Sequence, residues 1–265
     1  MKTPPPLQLS AWLVAGLGLL LSIQPAARAA EGAEVITAVS STVSRDYVRA
    51  RLPDGEFAPE GYTFGKGGHY QGPINDSTID ALGFAAVAAD IAGPLAGQNY
   101  LPSLDPTKTR LLIMVYWGTT SPYGASAGGP DEDQRNFIDY RNAQMLGYNS
   151  GEGLVGTDWA AMLQTTALRW RGHDQVMDIE SPRYFVVLMA YDFQLMWKQK
   201  KHKLLWDARF SLDESRSDFG KALPAMAQYA SRYFGQDSHG LVRKPVPLGH
   251  VEVGQPTLIE LDTGK

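Results

Sequence analysis

"RYFVVLMAYDFQLMWKQKKHKLLWDARFSLDE", residues Arg183 to Glu214, carries the strongest fold signal in the chain. Two apolar runs flank a polar, basic stretch, "KQKKHK" (198–203), which predicts a β-hairpin. With Trp197 opposite Trp206, Tyr191, Phe193, Leu195 and Trp197 share a face with Trp206, Ala208, Phe210 and Leu212. Asp192, Gln194 and Met196 then lie beside Asp207, Arg209 and Ser211 on the other face. Period-two alternation turns the aromatic set to the core and the polar set to water. A slip of one residue exchanges the two faces, so the register is a specific expectation.

Downstream, "SDFGKALPAMAQYASRYFGQ" (217–236) reads as a helix. Phe219, Leu223, Met226, Ala230 and Tyr233 recur at helical spacing, and that stripe is expected on the hairpin's aromatic face. Pro224 is tolerated near the helix start. The tail, about 236–265, is extended, with a short edge strand expected around 251–253.

Upstream, "RLLIMVYWG" (110–118) is short, apolar and bounded by turn residues, as a buried strand is. Before it, "NDSTIDALGFAAVAADIAGPLAGQNY" (75–100) predicts a helix. Ser77 and Asp80 resemble a capping box, and Phe84, Val87, Ile91 and Leu95 form the apolar stripe. Tyr62 and Phe64 share one face of a short strand within a Gly- and Pro-rich stretch. Residues 30–51 have no clean period. "DEDQRNFIDYRNAQMLGYNSG" (131–151) and "TDWAAMLQTTALRWRG" (157–172) read as two helices, an insertion beside the sheet over about 131–171.

The first residues read as a targeting segment. Lys2 precedes an apolar stretch from Ala11 to Ile23, and Ala27-Arg28-Ala29 forms an A-x-A exit. This predicts a secretory signal peptide over 1–29, cleaved after Ala29. The stretch is short of the roughly 20 residues that span a bilayer, and no later segment is apolar enough to span as a helix. The remaining chain, 30–265, suits one domain.

Composition removes several chemistries. The 265 residues include no cysteine, which excludes disulfides, thiolate catalysis and Cys-ligated zinc. Net charge is −4, and loss of Lys2 and Arg28 with the leader makes it −6. Such a balance, without a large basic block, gives no reason to expect nucleic acid. None of the five histidines forms H-x-H or H-E-x-x-H, so no metal site is expected. "GEGLVG" (151–156) matches a dinucleotide fingerprint but follows a helix, so no cofactor is expected.

"GASAG" (124–128) spells the G-x-S-x-G elbow of serine hydrolases. An elbow needs a strand immediately before the serine and a helix immediately after it. Here the strand ends near Trp117, and Gly128-Gly129-Pro130 follows, so the stretch reads as a loop. As the catalytic alternative, Ser126 takes His173 and Asp178; downstream, Asp139, Asp158 or Asp178 and His173 or His239 offer the acid and histidine that the hydrolase order Ser…Asp…His needs. The carboxylate clusters 131–133, 178–180 and 213–214 lie at element ends, and none forms a selected pair. Trp197 and Trp206 form a binding platform only if they are not core. The loop "WGTTSPYGASAGG" (117–129) is the better surface, because it leaves the carboxyl end of a buried strand. Its candidate binding residues are Trp117, Thr119, Tyr123 and Ser126.

The order "YTF" (62–64), "NDSTID" (75–80), "LAGQNYLP" (95–102), "TRLLIMVYWGT" (109–119), "KLLWDARFS" (203–211) and closing helix resembles a family of uncharacterised bacterial α/β domains found in periplasmic and envelope lipoproteins. The resemblance implies an envelope-associated domain of unknown function with no assignable catalytic residues. This chain departs from it in lacking a lipobox cysteine and in carrying the segment 131–171.

The expected fold is therefore α/β (α+β): one domain, with helices packed on a mixed sheet that contains the antiparallel hairpin. The expected role is that of an exported, non-enzymatic envelope or periplasmic domain, binding a protein or a cell-wall component. Serine hydrolysis at Ser126 is the alternative.

Overall fold

Seven strands follow from the sequence in the computed structural model, which describes residues 34–72, 75–121, 132–148 and 173–247. They are β1 (Glu34–Val43), β2 (Glu60–Tyr70), β3 (Tyr100–Pro102), β4 (Leu111–Thr119), β5 (Arg183–Asp192), β6 (Leu204–Asp213) and β7 (Val242–Pro247). They form a single mixed sheet in the order β3-β2-β4-β5-β6-β1-β7. β2 is parallel to both β3 and β4, and every other pairing is antiparallel. Residues 32–265 make up one compact unit, and Met1–Glu31 a separate one. The signal-peptide segment lies outside the described residues.

The hairpin strands are present, but their register differs from the expected one. Ala190, not Trp197, pairs with Trp206; Leu188 faces Ala208, Val186 faces Phe210 and Tyr184 faces Leu212. Trp206, Ala208, Phe210 and Leu212 do point to the core, as the alternation requires. Their partners come from the first half of the run. The second half, Phe193–Gln199, is a helix instead of a strand. Asp192 caps it, its Oδ1 accepting from Leu195 N at 2.8 Å. Leu, Met, Gln and Lys favour helix, and local capping here overrides the period-two pattern. Lys200 ends the turn in the left-handed region, φ 58°.

Two layers of helices cover the sheet. On one face lie α1 (Ser77–Asp80), α2 (Phe84–Ala96) and, closing the chain's core, the helix Phe219–Ala230. Val87, Ile91 and Leu95 of α2 are fully buried, as are Phe219, Leu223, Met226 and Ala230 of the closing helix. That stripe meets the sheet's aromatic face as expected: Tyr184 and Phe219 rings lie 5.3 Å apart, and Phe234 stacks on Trp206 at 5.9 Å. The single helix expected over 75–97 is broken at Ala81–Gly83, where Gly83 is extended.

On the other face pack α3 (Glu132–Leu146) and α4 (His173–Glu180), which makes the helix Phe193–Gln199 α5 and the closing helix α6. Ala143, Leu146, Tyr148 and Ile179 bury Phe185 and Val187 of β5. The polar set Asp207, Arg209 and Ser211 shares this face, but Asp207 and Ser211 are buried and Arg209 is partly covered, so the set is not turned to open water. Within the segment 131–171, α3 packs beside the sheet through Ala143 and Leu146. The helix expected over 157–172 lies outside the described residues. The tail's strand is β7, and 251–253 lies outside the described residues.

This register has a measurable consequence. Trp206→Ala removes a side chain 1 % exposed and should cost about 3–5 kcal/mol of unfolding free energy in urea titration. Trp197→Ala, at a position 42 % exposed, should cost less than about 1 kcal/mol. Equal losses would restore the Trp197–Trp206 pairing.

Candidate functional site

The parallel pair β2 and β4 ends at Tyr70 and Thr119, and at that end a closed ring of contacts surrounds the start of α1. Asp76 caps this helix: its Oδ1 accepts from Thr78 N at 2.8 Å. Asp80 completes the cap from the other side, its Oδ2 accepting from Asp76 N at 2.9 Å. The cap is thus Asp76, one residue earlier than Ser77, and Asp80 returns the bond from four positions on, one more than in a capping box. Asp80 Oδ1 lies 3.6 Å from His69 Nε2. The His69 imidazole stacks on Trp117, with centroids 5.4 Å apart and planes 18° off parallel. Two residues along β4, Thr119 lies across from Tyr184 of β5. The Tyr184 hydroxyl donates to Asp76 Oδ2 and closes the ring.

Close backbone approach makes this end compact. A Cβ on Gly118 would lie 2.1 Å from the Tyr70 carbonyl oxygen, so only glycine lets the two strand ends meet. Trp117 is 2 % exposed and Thr119 is buried, so both belong to the packed wall of the site. Among the described residues, the indole N–H of Trp117 and Nε2 of His69 have no hydrogen-bond partner. Tyr70 is 43 % exposed, and its ring borders Tyr116 and Phe185 on the opposite face.

The electrostatics separate the acids of this region. Burial alone would raise the Asp76 carboxyl, but hydrogen bonds from Tyr184 and from the Thr78 amide and hydroxyl outweigh it, and its pKa is lowered. Glu214, nearby, is shifted the other way, by burial first and then by the charges of Asp76 and Asp213. Burial and the bond to Asp76 raise the Tyr184 phenol. The ring therefore holds an ionised carboxylate at the helix cap and a second acid beside an imidazole.

The other candidates fall elsewhere. Tyr123 and Ser126 lie outside the described residues, as do "GASAG" and "GEGLVG". His173 is the first residue of α4. Asp178, in the same helix, has both oxygens engaged: Oδ1 by Arg183 at 2.8 Å, Oδ2 by Arg243 and Tyr148. Glu60 is similarly committed, to Tyr47 at 2.5 Å and Arg110 at 2.8 Å. Trp206 is a core residue and Trp197 a half-exposed one on α5, so the two indoles form no platform. Among the described residues no group of three or more His, Asp or Glu is placed to hold a metal ion, and no helix is long and apolar enough to cross a membrane.

Sequence reasoning did not single out His69, Asp76, Asp80 and Tyr184 as a set. The visible signal was the helix start at "NDSTID". The other half was hidden, because Gly67 and Gly68 interrupt the strand period between Phe64 and His69. The register of β2 against β4 shifts there, between Lys66 and Gly68.

The lowered pKa of Asp76 gives a pH test. Its carboxyl binds a proton more weakly folded than unfolded, so its contribution is full above the ordinary carboxylate range. That contribution is lost as pH falls through the folded-state value. Asp76→Asn keeps the cap but removes the charge-assisted bond to Tyr184. It should cost about 1–2 kcal/mol near neutrality and converge on the parent toward pH 2 in urea titrations.

No family model matches this chain, and no curated protein matches it. Among solved structures it is similar to a PDZ domain protein from Parabacteroides distasonis ATCC 8503, at 12% identity and a TM-score of 0.40. The match covers 80% of this chain and 39% of that one.

Proposed function

We propose that the chain is an exported, non-catalytic domain of the periplasm or envelope that binds a protein or cell-wall component at the carboxyl end of β2 and β4. The observation that carries this reading is the ring around α1. It presents His69 and Asp80 at a partly open sheet end, with the exposed Tyr70 ring at the same end on the opposite face, and such ends are where open α/β sheets accept ligands. The buried carboxylates Glu60 and Asp207 and the partly buried Asp178 are tied to arginines or hydroxyls of the fold, which supports a structural role for them. The A-x-A exit at Ala27–Ala29 supports export.

A second reading is serine hydrolysis at Ser126, a residue outside the described structure. Its observation is the His69–Asp80 contact beside the strand from which the Ser126 segment continues. His69 and Asp80 then replace His173 and Asp178 as base and orienting acid, since Asp178 is already held by two arginines.

Three measurements separate these readings. Mass spectrometry of the protein recovered from its producing cell should give a chain beginning at Ala30; a chain that begins at Met1 overturns export. Cosedimentation with purified peptidoglycan sacculi, and chemical cross-linking to envelope proteins, should be weakened about tenfold by His69→Ala or Tyr70→Ala. Binding untouched by both substitutions would place the contact elsewhere. A fluorophosphonate probe should leave the folded protein unlabelled; labelling that disappears in Ser126→Ala establishes the hydrolase.

A further inference from the structure

The two ends of the sheet are finished differently. At one end β7 carries Pro245 and Pro247, with Arg243 and Lys244 beside them. Proline offers no N–H, so this edge is blunted against a further strand. At the other end β3 pairs only with Glu60, Gly61 and Tyr62 of β2. β2 runs on to Tyr70, so "TFGKGGHY" (63–70) has a ladder partner on its β4 side alone among the described residues.

Alternation shows which groups face outward. Glu60 N donates to Asn99 O at 3.0 Å and the Tyr62 carbonyl accepts from Ser103 N at 2.7 Å, both toward β3. The Gly61 carbonyl accepts from Arg110 N on the β4 side. Even positions therefore turn outward, and Phe64 and Lys66 present the next N–H and C=O groups to the free edge. The stretch holds Gly65, Gly67 and Gly68 and no proline, so few side chains screen the backbone.

We propose that residues 63–66 of β2 accept an extended peptide strand from a partner protein, one bearing an acidic residue opposite Lys66. Lys66 is exposed and sets the charge of this edge. A second copy of the chain fits less well: a two-fold pairing of 63–70 centres on Lys66 and Gly67 and brings two ammonium groups near the axis. An acidic residue in the incoming strand meets the same ammonium favourably, while main-chain hydrogen bonds supply sequence-tolerant affinity. The main-chain groups of Phe64 and Lys66 are not part of the ring around α1, so protection at these two amides is read separately from the effect of His69→Ala on envelope binding.

The test uses the full-length purified chain and a capped heptapeptide alternating threonine and valine around a central glutamate. Controls are its central-lysine counterpart and a version N-methylated at alternate amides. Adding the glutamate peptide should slow amide exchange of Phe64 and Lys66 about tenfold. It should bind about fivefold tighter than the lysine peptide, the preference should invert in Lys66→Glu, and the N-methylated peptide should not bind. Four results overturn the proposal: no slowing at saturating peptide, equal binding of the two charges, amides already protected in dilute peptide-free protein, or protection that rises with protein concentration. The third means that the chain covers its own edge, and the fourth that a second copy does.

Discussion

Ala190 opposite Trp206 is the contact on which the rest of the packing rests. A small residue across from an indole leaves room for Phe234 and Tyr100 to lie against it, at 5.9 and 5.8 Å. The same register sends Tyr184, Val186 and Leu188 to the layer of α2 and α6, and Phe185 and Val187 to the layer of α3 and α4. β5 is hydrogen-bonded on both sides along its length. Any shift would move every one of these side chains to the wrong layer.

Two buried ionic knots hold what the apolar core does not. Glu60, 8 % exposed, gathers Tyr47, Arg49 and Arg110 at the start of β2. Asp178 joins Arg183 of β5 to Arg243 of β7 and the Tyr148 hydroxyl. Each knot links segments distant in sequence. Removing one partner strands a charge in a poorly solvated place, so such groups fix geometry more than they add net stability.

The sequence disclosed some of this more clearly than the rest. The stripe Phe219, Leu223, Met226 and Ala230 was readable because a helix with one buried face repeats at a fixed interval. The core face of β6 was readable for the same reason at period two. Phe193 to Gln199 misled, because aromatic alternation also fits a short capped helix, and Asp192 as cap decided it. β1 showed no clean period because both of its faces are largely covered, Ala38 to Ser41 being buried in succession. The ring around α1 was half legible. Its acids stand in one motif, but His69 and Tyr184 come to them through strand pairing that no local pattern records.

β1 is the first strand to be synthesised, and both of its neighbours come from the last third of the chain. Ser41 alone reaches Asp207 and Ser238, 166 and 197 positions further on. Until those residues exist, β1 has no ladder to join, and the sheet lacks three of its seven strands, β6, β1 and β7. Closure of the domain is therefore a late, long-range event, slow in proportion to the loop it must shut. For most of its synthesis the polypeptide carries one strand whose partners have yet to be made.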